Sequence, residues 1–243
     1  MNAPDQRVLP LVVRIERATP PERTDALEAA ARAVLTLLDD ERAVSGEWAE
    51  AVAAWETIGI RKVVRRARGV EWRRVQELDG ITVTLRSAEV RVHPPIPLDA
   101  WPKELSRLQV SGTDLADSRP PGPPPPDEAV LWFNPSLEMS AGKAMAQAGH
   151  AAQLAWWGSD GEARAAWREQ GLAVAVRTAE PWRWAALVDS GLPVVRDAGF
   201  TEIEPGSRTV VADAPWLRLG GLRPAGWGPL RDPSPRTGAD DRP

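Results

Sequence analysis

Nine residues between Glu50 and Trp72 recur, identical and in the same order, 112 positions further along the chain. Glu50, Ala51, Ala53, Ala54, Trp55, Gly59, Val64, Ala67 and Trp72 pair with Glu162, Ala163, Ala165, Ala166, Trp167, Gly171, Val176, Ala179 and Trp184. Two tryptophans and a glycine in register over so short a window point to an internal duplication rather than to two unrelated domains sharing an Ala/Trp composition. The offset becomes 111 at Gly80 and Gly191, as a one-residue deletion in a loop would produce. Between the copies, residues 118–127 read SRPPGPPPPD. That stretch cannot continue a helix or a central strand and forms a stiff, extended spacer of the polyproline type.

Each copy reads as alternating strands and helices. In the first, VLPLVVRI at 8–15 is a β-branched strand and 23–38 a helix with Leu27, Ala30, Val34 and Leu38 at helical spacing. A helix at 47–57, a strand at 60–64, a helix at 71–78 and strands at 81–85 and 89–92 follow; 94–110 is broken by prolines. The second copy runs as a strand at 129–133, helices at 142–156 and 162–170, a strand at 172–176, a helix at 181–189, and strands at 192–196 and 208–212. The expected domains are therefore 8–117, the linker 118–127, a second domain at 128–222, and a tail at 223–243 whose Pro, Gly, Arg and Asp content predicts disorder.

The totals exclude several chemistries. The chain has no cysteine, which rules out disulfides, zinc-thiolate sites and thiol nucleophiles, and its two histidines argue against a multi-His metal site. A net charge of −4 opposes a uniformly basic nucleic-acid binder while leaving room for a local basic patch. MNAPDQRVLPLVVRIER lacks a charged stretch followed by a long apolar one, and no apolar run approaches the ~18 residues a membrane helix needs. A cytoplasmic protein without a membrane partner is expected.

The chemistry concentrates in the second copy. Residues 142–151 read GKAMAQAGHA, and Lys143, Gln147 and His150 fall at i, i+4 and i+7, on one face of a helix stripped of bulk by Ala144, Ala146, Ala148 and Gly149. Ser140 is the expected N-cap, which sets Lys143 in the first turn, against the helix dipole at a cost of roughly 0.3–1 kcal/mol on an exposed surface. Such a helix start also offers free N–H groups to an anion. A second constellation, GLPVVRDAGFTEIEPGSRT at 191–209, ends a β-branched run at Asp197, turns at Ala198-Gly199, and starts a short returning strand at Thr201. A carboxylate and a hydroxyl at the mouth of a turn stand where loop-borne site residues stand, although an aspartate serving only the turn would look the same.

Together the two stretches resemble the peptidyl-tRNA hydrolase 2 family, over about residues 128–217. The first signature is carried by Gly142, Lys143, Gln147, His150 and Ala151. The second is carried by Gly191, Leu192, Pro193, Arg196, Asp197, Ala198, Gly199, Thr201, Pro205, Gly206 and Thr209. The resemblance implies an α/β fold, a three-layer α/β/α domain around a four-stranded mixed sheet, here in tandem duplication. It further implies hydrolysis, without a metal or other cofactor, of the ester joining a peptide to the 3′ ribose of tRNA, with peptidyl-tRNA as the partner. The family's residues held to matter for activity map onto Lys143, Gln147, Asp197 and Thr201, with Thr209 and His150 as secondary candidates. Phe200 and Glu202 stand where the family usually has a basic residue and Gln.

Ester hydrolysis needs an activated water and stabilisation of the oxyanion and the leaving ribose oxygen. Lys143 and the helix start would supply a positive field, and Gln147 a hydrogen bond. Asp197, oriented by Thr201, would hold or deprotonate the water. A lysine beside Asp197 makes it a weaker base, so a positioning role stays open. As an inward histidine on an alanine face, His150 reads as a satisfied core residue, with a base as the alternative.

The first copy lacks this chemistry. Near the position matching Lys143 stands only Asp25-Ala26-Leu27-Glu28, and opposite Asp197 stands Arg86. It reads as a degenerate copy that would replace the second subunit of a homodimer within one chain, giving a monomer with an intrachain pseudo-dimer. Arg61, Lys62, Arg65, Arg66, Arg68, Arg73 and Arg74 crowd a stretch whose only acid is Glu71. Arg65, Arg66 and Arg68, with Arg196, are candidates for gripping tRNA phosphates; a solvated charged face is the alternative. Two other functions remain open from sequence: a non-catalytic RNA- or protein-binding module of the same fold, and an esterase on another substrate.

Overall fold

The computed structural model describes residues 6–199 and 202–219. Its elements run β1 (Arg7–Arg14), α1 (Arg23–Asp39), α2 (Glu41–Val44), α3 (Ala49–Ile58), β2 (Lys62–Ala67), α4 (Gly69–Gln76), β3 (Ile81–Leu85), β4 (Ala88–Val92), β5 (Ile96–Pro97) and α5 (Lys103–Ser106). The second half continues with β6 (Ala129–Phe133), α6 (Ala141–Gly158), α7 (Gly161–Glu169), β7 (Val174–Thr178), α8 (Pro181–Asp189), β8 (Val194–Arg196), β9 (Arg208–Asp213) and α9 (Pro215–Leu219). The tail expected at 223–243 lies outside the described residues, as does Thr201.

Two mixed sheets form, ordered β2-β1-β4-β3 and β7-β6-β9-β8, with β5 added to β1. Both have the same strand senses: the central strand is parallel to one neighbour and antiparallel to the other, and the far edge strand is antiparallel to its neighbour. Side chains alternate as a pleat requires. Leu9, Leu11 and Val13 of β1 join one large apolar cluster, while Val12 points to a separate one with Trp72 and Val75 of α4 and Leu105 of α5. On β6, Ala129, Leu131 and Phe133 enter the same large cluster, while Val130 and Trp132 face Leu187 of α8. Each sheet is thus covered by helices on both faces, and one continuous core lies between the sheets.

Helices α1 and α6 fill that middle layer and pack on each other, and each also reaches the other half's sheet, α1 at β7 and α6 at β2. Small residues make this possible. Ala26, Ala29, Ala30 and Ala33 of α1 and Ala144, Ala148, Ala151, Ala152 and Ala155 of α6 are fully buried. A Cβ on Gly149 would stand 3.0 Å from Val34 and 3.2 Å from Lys62, so α6 meets the first half closely enough that even a methyl there makes these side chains give way.

Pro10 stands inside a central strand, where proline is normally excluded. The amide of Leu9 donates to Arg61 O on the β2 side, so the N–H that Pro10 lacks would face the other neighbour. There His93 N donates to Pro10 O at 3.0 Å and Pro10 returns no bond, so the β4 ladder begins only at Leu11, while β5 pairs only up to Val8.

The elements expected from sequence form with bounds that move by at most three residues, three of them unmoved, and four short elements are additional: α2, β5, α5 and α9. The proline-broken stretch at 94–110 contains two of these. Residues 118–127 carry no helix or strand, and they are tied down: Ser118 N donates to Glu22, and Arg177 Nε donates to Gly122 O at 2.7 Å. Two expectations need correction. Residues 202–207 form bends and a turn rather than a returning strand. The offset between the halves also does not slip at Gly80 and Gly191. Strand register still places Val83 with Val195, and the slip falls at a β-bulge between Val195 and Arg196.

Candidate functional site

Helix α6 begins where β6 ends, and Asp197 follows the last residue of β8. Because β6 and β8 run in the same direction, both points lie at one edge of the second sheet. Lys143 Nζ donates to Asp197 Oδ2 at 2.6 Å, and Gln147 Nε2 donates to the same oxygen at 2.7 Å. Asp197 Oδ1 accepts from Gly199 N at 2.8 Å. Gly199 has φ 75°, and a Cβ there would run into Pro205 at 2.3 Å, so this turn admits only glycine. Behind Gln147, the hydroxyl of Thr209 on β9 donates to Gln147 Oε1 at 2.5 Å.

The result is one polar chain from core to surface. Thr209 is 0% exposed, Gln147 2%, and Asp197 8%, while the Lys143 side chain is 10% exposed. The helix i, i+4 spacing that sequence gave for Lys143 and Gln147 is what lets both reach one carboxylate oxygen. Both Asp197 oxygens are engaged by donors, which suits a carboxylate that holds and orients better than one that takes a proton.

The start of α6 is not the open anion site expected from its sequence. Ser140 Oγ caps Lys143 N at 3.2 Å, and Glu202 accepts from Ser140 N at 2.9 Å and Ser140 Oγ at 2.8 Å. The amide of Gly142 donates to Thr113 Oγ1 at 2.9 Å. The second and third amides of the helix are therefore occupied, and the lysine side chain, 10% exposed, is turned onto Asp197.

Residues 128–218 match the family model of peptidyl-tRNA hydrolase PTH2. No curated protein matches the chain. The PTH2 match spans β6 to α9, and Lys143, Gln147, Asp197 and Thr209 all fall inside it.

The half outside the PTH2 match holds an ion pair at the equivalent place, with its charges exchanged. Asp25 is the third residue of α1 as Lys143 is of α6, and Arg86 follows β3 directly as Asp197 follows β8. Arg86 Nε donates to Asp25 Oδ1 at 2.6 Å and the guanidinium also reaches Glu28. Ser87 adds two donors to Asp25 Oδ2, at 2.6 Å from its hydroxyl and 3.1 Å from its amide. Glu28 in turn accepts from Val176 N at 2.9 Å and Arg177 at 3.0 Å in the second half. Sequence showed these residues opposite the site but not that they pair. An acid at a helix N-terminus is the favoured polarity and a lysine the unfavoured one, so the second half retains the arrangement that costs more.

His150 stands apart from Lys143 and Asp197. Seven residues along α6 is about 10 Å, and there its Nδ1 meets Lys62 Nζ at 3.3 Å. Lys62 also donates to Gln153 Oε1 at 2.6 Å and to Ile60 O at 3.3 Å, and lies over Trp55. Burial pushes both groups well below their ordinary pKa values, with the charges of Lys62 and Lys143 adding to the effect on His150. The histidine serves the packing of α6 on β2.

Part of the basic stretch is committed too. Arg65 lies over Trp101 and donates to Ser106 O at 3.2 Å and to Leu108 O, and Arg66 donates to Ser111 O at 2.9 Å and to Gln109. These two arginines hold residues 101–111 on β2, while Arg68 stands at the N-cap of α4. Arg196 ends β8, beside Asp197. Among the described residues, no three His, Cys, Asp or Glu side chains are grouped to hold a metal ion, and no helix is long and apolar enough to cross a membrane.

Proposed function

We propose that this chain is a metal-independent peptidyl-tRNA hydrolase, cleaving the ester between a peptide and the tRNA 3′ end. The observation that carries the reading is Lys143, held by a buried aspartate against its own helix dipole, inside the residues that match PTH2. Water adds to the ester carbonyl, the negative charge on the carbonyl oxygen is met by the Lys143 ammonium, and the carbon–oxygen bond to the ribose breaks. The proton that the water gives up passes to the leaving ribose oxygen, so free tRNA departs and the peptide keeps the water oxygen in its new carboxyl group. Asp197 aims Lys143 and the water, while Gln147 and Thr209 fix Asp197. Thr201, outside the described residues, is assigned beside Asp197 through the resemblance alone.

We further propose that the first half, 8–117, is a degenerate copy of 128–222 joined to it by 118–127. The equal order and senses of the two sheets support this, as do matching hydrogen bonds from Trp55 Nε1 to Arg61 O at 2.9 Å and from Trp167 Nε1 to Ala173 O at 2.8 Å. The continuous core between the sheets supports a monomer in which the copy stands in for a second subunit; a place of work in the cytoplasm is part of the same proposal. The test is release of peptide from N-blocked aminoacyl-tRNA without added metal, comparing the wild type with Lys143→Ala and Asp197→Ala. Turnover lost by at least about a hundredfold in both variants is expected; a folded wild type without turnover would refute the reading.

A further inference from the structure

The first half reaches the start of α6 through one segment. Residues 109–117 leave β2, where Arg66 N donates to Gln109 O at 3.0 Å, and end at α1, where Thr24 donates to Asp117 from its amide at 2.7 Å and its hydroxyl at 2.6 Å. Between these anchors Gly112 turns with φ 72° against the Arg66 guanidinium, and Leu115 enters the main core. Thr113 is thereby carried beneath α6. It is 2% exposed, and its hydroxyl accepts from Gly142 N.

The fit is close. A Cβ on Gly142 would stand 3.0 Å from Thr113 Oγ1, so the helix backbone rests directly on this hydroxyl. The next residue is Lys143, whose own amide is held by Ser140. A few residues earlier, Arg23 of α1 donates to Met139 O at 3.1 Å, so the first half also holds the loop that enters the helix.

We infer that Thr113 is a positioning residue for Lys143, and that the first half completes the candidate active site by fixing the first turn of α6. This rests on the hydrolase reading. Thr113 touches neither substrate nor Asp197; it acts by setting where the lysine leaves the helix. Its removal as Val keeps the shape, leaves the Gly142 amide unpaired in a buried place, and puts a methyl against the helix backbone, so the first turn must move. A shift of a few tenths of an ångström in Lys143 weakens an interaction needed only at the transition state, which lowers kcat and spares KM.

The experiment uses the full chain with Thr113→Val and Thr113→Ser. Turnover of N-blocked aminoacyl-tRNA is measured beside amide hydrogen exchange at Gly142 and the Lys143 ammonium resonance. Expected for Thr113→Val is a kcat about tenfold lower with KM within about twofold, and a Gly142 exchange rate about tenfold higher with Ala152 unchanged. Thr113→Ser, which keeps the acceptor, should stay within about twofold of wild type in all readouts. Wild-type kcat in Thr113→Val, unchanged Gly142 exchange, or equal losses in Thr113→Ser would overturn the inference. A wild type without turnover would instead defeat the hydrolase reading. The Gly142 exchange and the Lys143 resonance would then decide alone: an unmoved resonance in Thr113→Val overturns the positioning role, and a moved one sustains it.

Discussion

Thr209→Val isolates the inner end of the polar chain. Thr209 is fully buried, and its hydroxyl is the partner that orients Gln147 by donating to Oε1. Valine has nearly the same shape, so the change opens no cavity. What it leaves is a buried amide oxygen without a donor, at a cost of about 1–3 kcal/mol. For a chain of this size 2 kcal/mol lowers Tm by about 4–8 °C. The amide then loses the partner that fixes its far side and is held only by its N–H on Asp197 Oδ2, now at 2.7 Å, so that bond is aimed less well. Asp197 keeps Lys143 and Gly199, so its orientation is loosened rather than lost, and a loss near 1.4 kcal/mol at the transition state lowers turnover about tenfold. Thermal unfolding and release of peptide from tRNA read the two effects. A Tm within about 1 °C of wild type with turnover within about twofold would refute the chain of orientation. On a Gln147→Met background the oxygen is gone, so the same Thr209→Val change should cost well under 1 kcal/mol; a full additive cost would place the effect of Thr209 elsewhere.

Two further outcomes follow from the first half. His93 is buried, contacts Asp79 O at 2.6 Å through Nδ1, and has no partner for Nε2 among the described residues, and burial lowers its pKa to about 4. The unfolded chain, with a histidine near 6.5, therefore binds a proton that the folded chain refuses between pH 6.5 and 4. Stability from this group is complete above pH 6.5 and falls as the pH drops through that window, by about 2 kcal/mol between pH 7 and 5. Urea unfolding at both pH values should show His93→Gln losing less stability than wild type on acidification, and equal losses would count against a neutral buried His93. Separately, Arg65→Ala and Arg66→Ala should lower Tm and raise hydrogen exchange across 101–111, because their guanidinium groups hold that segment. The dependence of tRNA binding on salt should change by less than one charge in each, and a larger change would return these arginines to the phosphate-gripping role.

The periodic parts of the fold were legible because their determinants are local. β-branched runs, the Ser140 cap and the alanine face of α6 carry their structure within a few residues. So does the pairing of Lys143 and Gln147 on one face. Where sequence reasoning failed, the partner was distant. The free amides expected at the start of α6 are occupied by Ser140 next door and by Thr113, nearly thirty residues upstream across the linker, and no local pattern signals the latter. The arginine cluster looked available because its acceptors are backbone carbonyls at Ser106, Leu108 and Ser111, and carbonyls have no sequence signature. The slip between the halves was placed at glycines because glycines mark loops, whereas a β-bulge absorbs the residue within the strand pair, one step before Asp197.

That bulge and the exchanged ion pair bear on each other. In the first half β3 pairs regularly with β4 through Leu85, and the next residue, Arg86, meets an acid on α1. In the second half the bulge after Val195 alters the register just before the chain delivers Asp197 to a lysine on α6. The first arrangement satisfies the helix dipole and extends through Glu28 into β7, so it binds the halves together. The second satisfies neither purpose: its lysine opposes the dipole, and among the described residues Asp197 hydrogen-bonds within its own half. A fold under selection for stability alone has the better solution available in its own first half. The costlier polarity, at the least buried end of a hydrogen-bonded chain, is what the proposed role of Lys143 at a reacting oxygen calls for.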